Sequence, residues 1–300
     1  MVKTMAYCKL NLHLHVKGKR LDGFHDIESV FLPLAFGDEL TFELNGRGVN
    51  IIVDWKVSHE PIPLRENLVF KAVELFCERS GWNGGIRIFV EKQIPVGAGL
   101  GGGSSDAAAV LRTLNTMTCA GLSLTALTAI AAELGSDVPF FLYETPAFIM
   151  GRGEQVSPIH LRQELFASII YPGFESGTMK AFRRLDEKRK TAGIEGQFAP
   201  DGEKEVVEMF EKPLSEWRFI NDFLPILLDG EHKDAYRAML TTLEAADFCG
   251  LSGSGSCCFG IWRKQSDMEN FAERDSVKKM LMNLEKSAKI VNTRILPLAI

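Results

Sequence analysis

The sequence predicts an α+β chain, and three observations lead there. Residues 9–16 alternate polar and apolar side chains, the period of a strand with one buried face. A glycine-rich stretch, Pro95 to Asp106, lies between an apolar run, Ile86–Val90, and an alanine-rich run, Ala107–Leu114, so a strand feeds a helix through it. Beyond residue 155 the runs fall in the order strand, helix, helix, strand, helix, strand, which suggests a small α+β sandwich. The 300 residues leave room for two domains, divided here into 1–154 and 155–300.

Met5–Val16 is the first strand. Leu10, Leu12, Leu14 and Val16 fall on one face, with Lys9, Asn11, His13 and His15 on the other. Periodicity alone favours a solvated second face; the alternative is that Lys9 and Asn11 meet an anionic or polyol ligand. His13 and His15 are expected at the surface. Lys17–His25 is a turn built on Asp22-Gly23. Phe24 and His25 follow it and either read a base or simply anchor the hairpin. Glu28–Leu34, Asp38–Leu44 and Val49–Trp55 are further strands. Asn67 has the chemistry of an N-cap for a helix over Leu68–Glu78, with Gly81 beyond its end. Ser123 caps a helix to Leu134, and Gly135–Pro139 ends it. Asp137 is an acid on this short loop beside Phe140, Phe141 and Leu142, a position more often a turn residue than a functional one.

Ala147–Glu154 closes the first half as a strand, and Phe166–Tyr171 opens the second. Phe182–Lys204 is charge-rich and reads as a solvated helix end and a mobile loop. Asn221-Asp222 precedes the apolar Phe223–Leu228. Leu251–Ser256 is a second small-residue loop leading into a strand, Cys257–Trp262. Met268–Leu284 has helical periodicity, and Ile290–Leu298 is the last strand.

Five glycines fall between Gly97 and Gly103, followed by Ser104, Ser105 and Asp106. Glycine permits positive φ and lets a ligand approach the backbone. A turn running into a helix start gathers N–H donors at the positive end of the helix dipole, which is a phosphate cradle. The stretch matches G-x-G-x-x-G, but a dinucleotide fold also needs an acid some twenty residues on, and Asn115–Leu124 has none. No lysine follows the last glycine as in a P-loop, and the H-R-D and D-F-G signatures of protein kinases are absent. A flexible linker seldom sits between a strand and a well-formed helix.

The formal net charge of −5 gives no sign of a nucleic-acid groove. No apolar run is long enough to cross a bilayer, and Met1–Leu14 lacks a signal-peptide profile, so a cytoplasmic location is expected. The six cysteines form no C-x-x-C pair, which argues against a zinc site or a disulfide framework.

Pro95–Asp106 resembles the central motif of the GHMP kinases, the superfamily of galactokinase, homoserine kinase and mevalonate kinase. Cys8–Leu12 resembles its first motif and Leu251–Ser256 its third. Lys9–Leu12, Asp22–His25, Gly135–Pro139, Gly151–Glu154 and Asn221-Asp222 are similar to the 4-diphosphocytidyl-2-C-methyl-D-erythritol kinase family within it. That resemblance implies an N-terminal domain like the second domain of ribosomal protein S5, a ferredoxin-like C-terminal domain, and a cleft between them. It implies phosphorylation by ATP, with Mg2+, of the 2-hydroxyl of a CDP-linked methylerythritol, and no nucleic-acid, membrane or obligate protein partner.

The resemblance also assigns residues. Pro95, Val96, Gly97, Ala98, Gly99, Leu100, Gly101, Gly102, Gly103, Ser104 and Ser105 would wrap the ATP phosphates, with Ser105 on the metal side. Asp137 would take the proton of the attacking hydroxyl, and Lys9 would hold Asp137 ionised. Asn11 would bind the methylerythritol, and Thr178 would sit near the diphosphate. His25 would hydrogen-bond the cytosine between Phe24 and Phe182. Asn67 and Lys92 would lie near the nucleotide. Phe24 stands where tyrosine is common, and Cys8 where alanine is common. The alternatives are another small-alcohol GHMP kinase, a nucleotide-binding module without chemistry, and a nicotinamide oxidoreductase.

Overall fold

The computed structural model describes residues 1–46, 48–56, 62–161, 163–194 and 202–297. They form two compact units that interleave in sequence. One comprises Met1–Lys9, Phe36–Val96 and Gly101–Glu144; the other comprises Leu10–Ala35, Gly97–Leu100 and Thr145–Ile300. The division expected at 154/155 follows the chain, whereas the units do not. The reason is that β1 (Val2–Lys19) and β2 (His25–Leu44), a pair of long strands, each contribute to both.

In the first unit, the end of β2 pairs antiparallel with β4 (Ile86–Lys92), from Glu39 opposite Glu91 to Leu44 opposite Ile86, while β3 (Val49–Trp55) runs parallel to β4. The sequence suggested two strands on either side of Gly37, yet β2 runs through it. A Cβ on Gly37 would collide with the carbonyl of Ala6 and lie 2.9 Å from Tyr7 Cα, so glycine lets β1 approach without a break. Helix α1 (Leu68–Ser80) is capped by Asn67, whose side chain accepts from the Val69 N–H at 2.9 Å, and ends on Gly81 with φ 72°. It packs against α2 (Gly102–Met117) and α3 (Leu124–Leu134), the latter capped by Ser123; α4 (Phe140–Tyr143) is a single turn. Ala107, Ala108 and Ala109 are fully buried, and their small side chains bring α2 close to its neighbours.

In the second unit, β2 residues 29–31 pair with β5 (Ala147–Met150), which pairs with β6 (Gln155–Pro158). The strand expected to reach Glu154 therefore stops at Met150, where the Glu154 carboxylate accepts from the Arg152 N–H at 2.7 Å and closes a turn. A second sheet holds β7 (Phe166–Tyr171), β8 (Phe248–Leu251), β9 (Cys258–Trp262) and β10 (Lys289–Arg294) in the order β10-β7-β9-β8, all antiparallel.

Helices α5 (Thr178–Thr191), α6 (Glu203–Phe210), α7 (Leu224–Leu227) and α8 (Lys233–Leu243) separate β7 from β8. Helices α9 (Gln265–Glu273) and α10 (Asp275–Met282) separate β9 from β10. With its helices grouped, this is the ferredoxin-like β-α-β-β-α-β order, as the resemblance implied. Its core includes Phe223, Tyr236, Met239, Phe271 and Val277.

Several sequence expectations shift here. β8 was not foreseen. The helix expected over Met268–Leu284 is two helices, because Arg274 is extended at φ −63° and ψ 137°. The last strand ends at Arg294; Leu298 and residues 195–201 of the charged segment lie outside the described residues.

The polar face of β1 is also not solvated. Lys9 and Asn11 are 3% exposed and His13 is 7%. His13 is no surface histidine: its Nδ1 accepts from the Ile220 N–H at 3.3 Å, and burial pushes its pKa down to about 4. His15, half-buried, bonds through Nδ1 to Asp222 Oδ2 at 2.9 Å. Among the described residues no helix is long and apolar enough to cross a membrane.

Candidate active site

In the first unit the chemistry gathers at the start of α2. Gly101 sits at φ 72°, and a Cβ there would come within 2.7 Å of Phe141 Cζ and 3.2 Å of Lys9 Cε. Only glycine fits, and its absent side chain leaves room for the Lys9 stem. No side chain caps α2. Among the described residues the N–H groups of Gly101, Gly102, Gly103 and Ser104 meet no acceptor. Four donors at the positive end of a helix make an anion site.

Lys9 Nζ stands 3.5 Å from Asp137 Oδ2, with the lysine side chain 4% exposed and the aspartate 32%. A residue of the first strand and one from the loop after α3 thus meet beside the helix end. Burial lowers the proton affinity of Lys9, and the Asp137 charge opposes that shift. Ser105 is buried, and its hydroxyl donates to the Tyr7 carbonyl at 2.6 Å.

A buried cluster braces this helix start. Lys92 Nζ pairs with Asp38 and, at 2.7 Å, with Asp106 Oδ2. Asp38 Oδ1 accepts the N–H groups of Gln93 at 2.5 Å and Ile94 at 2.9 Å. Asp38 therefore holds the chain entering the glycine stretch, and Asp106 holds the first turn of α2. Burial, reinforced by the Asp38 charge and opposed by Lys92, pushes the Asp106 pKa up to about 7. Of the two residues expected near the nucleotide, Lys92 pairs its ammonium within this cluster, and Asn67 uses its side-chain oxygen to cap α1.

In the second unit, Gly97, Ala98 and Gly99 are held by their carbonyls. These accept from the Ser176 N–H at 2.9 Å, the Cys257 N–H at 3.1 Å and the Ser252 hydroxyl at 2.8 Å. The Leu251–Ser256 loop is thus a brace for the glycine stretch. Asn221 fixes that brace, donating from Nδ2 to the Leu251 and Gly253 carbonyls, each at 2.9 Å. Asn11 donates its backbone N–H to Ser252 Oγ at 3.2 Å and its amide to Ser29 Oγ at 3.1 Å. Thr178, at the start of α5, lies 3.0 Å from Ser254 Oγ.

His25 stacks on Phe182, with centroids 4.6 Å apart and planes 24° apart. Its Nε2 lies 2.7 Å from Asp186 Oδ1, while Lys19 donates to Asp186 Oδ2 at 3.0 Å. Phe24 is half exposed; the Arg152 guanidinium stands 4.8 Å from its ring centroid. Among the described residues Phe24 makes no ring contact with Phe182 or His25.

Sequence reasoning did not single out Asp38 or Asp186, and quoted Arg152 only within the Gly151–Glu154 motif, without a role. Asp186 carried a usable signal, since it follows Phe182 by four residues on one helix and so shares its face. Asp38 carried none, because its partners lie more than fifty residues away and no local spacing marks them.

Comparison with known proteins adds to this geometry. Residues 67–145 match the family model described as GHMP kinases N terminal domain. The 4-diphosphocytidyl-2-C-methyl-D-erythritol kinase of Prosthecochloris aestuarii is 35% identical over 282 residues, covering 91% of this chain and 93% of that protein. The Treponema pallidum protein of the same name is 34% identical over 275 residues, covering 88% and 90%. A crystal structure of 4-(cytidine 5'-diphospho)-2C-methyl-D-erythritol kinase superposes with a TM-score of 0.76 at 30% identity, covering 98% of this chain and 99% of that one.

Proposed function

This chain belongs to the 4-diphosphocytidyl-2-C-methyl-D-erythritol kinase family of the GHMP kinases, and from that premise we propose that it phosphorylates the 2-hydroxyl of that substrate. The reaction consumes ATP, releases ADP and the 2-phosphate, and serves the non-mevalonate route to isoprenoids in the cytoplasm. The observation that carries the reading is the Lys9–Asp137 contact of 3.5 Å beside the uncapped start of α2.

Phosphoryl transfer to an alcohol is mainly positioning and charge management. Asp137 accepts the proton of the 2-hydroxyl as its oxygen bonds to the γ-phosphorus and the bond to the leaving ADP oxygen breaks. Lys9, paired with the carboxylate at 3.5 Å, orients the hydroxyl against it. The N–H groups of Gly101–Ser104 bind the charge that spreads over the phosphate oxygens. Asn11 and Thr178 position the methylerythritol diphosphate, and His25, Phe24 and Phe182 receive the cytosine.

Ser105 fits a role beside a cation, since a hydroxyl that donates to Tyr7 keeps its lone pairs. Bound there, Mg2+ would offset charge on the β- and γ-phosphates.

The test is ADP release with a panel of CDP-methylerythritol, homoserine and mevalonate. Turnover is expected with the first alone. Comparable turnover with either of the others makes the chain a different small-alcohol kinase, and none with any makes it a binding module.

A further inference from the structure

His25 is 9% exposed, and Nε2 makes the only ring hydrogen bond it has among the described residues. The partner is a carboxylate that accepts only. Its second oxygen is taken by the Lys19 ammonium at 3.0 Å; burial alone would raise the Asp186 pKa, but the hydrogen bonds from His25 and Lys19 hold it below the ordinary carboxylate value. A neutral imidazole has one proton to place, and an acceptor at Nε2 fixes it there. Nδ1 is then an acceptor. The cytosine base offers a donor in its exocyclic amine, whereas the uracil base offers an acceptor carbonyl at the same place.

We propose that Asp186 is a specificity-determining positioning residue: by fixing the proton of His25 on Nε2 it makes Nδ1 an acceptor, and so selects cytidine over uridine substrates. This rests on the reading of His25 as the side chain that contacts the base. Helix α5 supplies both parts of the device. Phe182 holds one face of the imidazole, and Asp186, one turn later, holds its edge, so ring plane and proton are set from one rigid element. Uracil would place its carbonyl against the Nδ1 lone pair with no proton between them, and two facing acceptors bind poorly.

The test compares kcat/KM at pH 8 for the CDP-linked substrate and its UDP-linked counterpart in the native enzyme, Asp186→Asn and His25→Ala. An asparagine amide presents either an acceptor or a donor to Nε2, so it no longer dictates the tautomer. The native enzyme should prefer the cytidine substrate, and Asp186→Asn should shrink that preference by roughly 10- to 100-fold. A merely structural role would lower both substrates together and leave the ratio unmoved.

If Asp186→Asn keeps the native ratio while His25→Ala collapses it, the proposal fails and His25 stands as the base reader. If neither changes the ratio, the base-reading role of His25 fails as well. Nitrogen-15 NMR of the native imidazoles gives an independent check that needs no variant. His25 should show a protonated Nε2 and a bare Nδ1, and the opposite tautomer overturns the proposal.

Discussion

Replacing Asp137 by Asn keeps the size of the side chain and removes its charge. Lys9 Nζ and Asp137 Oδ2 are 3.5 Å apart, a separation at which opposite charges attract by ~5 kcal/mol at an effective dielectric near 20. Water reaches part of the aspartate, which is 32% exposed on the side chain, so the net coupling is smaller. The fold should therefore tolerate the change, with melting shifted by no more than a few degrees. Catalysis should not. A positioned base contributes about 10² to 10⁴ in rate, or ~3 to 5 kcal/mol of barrier. In an ADP-release assay kcat should fall by that factor, while KM for both substrates stays within about threefold, since an uncharged amide still fills the site.

The pH profile of the residual activity gives a second readout. Burial already lowers the pKa of Lys9, and only the Asp137 charge and contact oppose it strongly. Without that charge Lys9 should lose its proton at lower pH, so the alkaline limb of the variant should move toward neutrality. A variant turning over within threefold of the native rate would remove Asp137 from the base role.

Three further outcomes follow from the geometry. His25→Ala should raise KM for the cytidylyl substrate by about 10- to 100-fold with kcat nearly intact, and an unchanged KM would refute contact with the base. Gly101→Ala forces a Cβ into φ 72° and to 2.7 Å from Phe141, so KM for ATP should rise at least about tenfold; an unchanged KM would mean that the start of α2 does not hold the phosphates. Asp106, pushed up to about 7, binds its proton more tightly in the folded chain than in the unfolded one, so its contribution to stability is full below about pH 4 and is lost as pH rises through 7. Asp106→Asn should flatten that loss in melting temperature between pH 4 and 7, and an unaltered slope would refute the shifted carboxyl.

The local parts of this site were legible because their chemistry is written in adjacent residues. Glycines, small hydroxyls and the alanine run marked the turn into α2, and Asn67, Gly81 and Ser123 marked helix ends by capping chemistry that needs no tertiary context. What escaped depends on packing. Alternation along β1 suggested a wet face for Lys9 to His13, whereas neighbours cover both sides of that strand, which period alone cannot tell. β2 was expected as two strands, Glu28–Leu34 and Asp38–Leu44, because the use of Gly37 between them, close approach to Ala6, involves a residue far away in sequence. β8 has only four residues, too few to show a period, and Arg274 breaks a helical pattern that runs on unaltered in the apolar positions around it. The Asp38–Lys92–Asp106 cluster joins residues 54 and 14 positions apart, a relation only the fold creates. The pairing of Lys9 with Asp137 was itself reached through resemblance, since no spacing rule links residues so distant.

The position of the attacking oxygen tests the account most directly. In a crystal of the enzyme with a non-hydrolysable ATP analogue and CDP-methylerythritol, the substrate 2-hydroxyl should lie within about 3.2 Å of an Asp137 carboxylate oxygen, with the γ-phosphate on the N–H groups of Gly101–Ser104. A 2-hydroxyl bound away from Asp137, or a γ-phosphate held elsewhere in the chain, would contradict it.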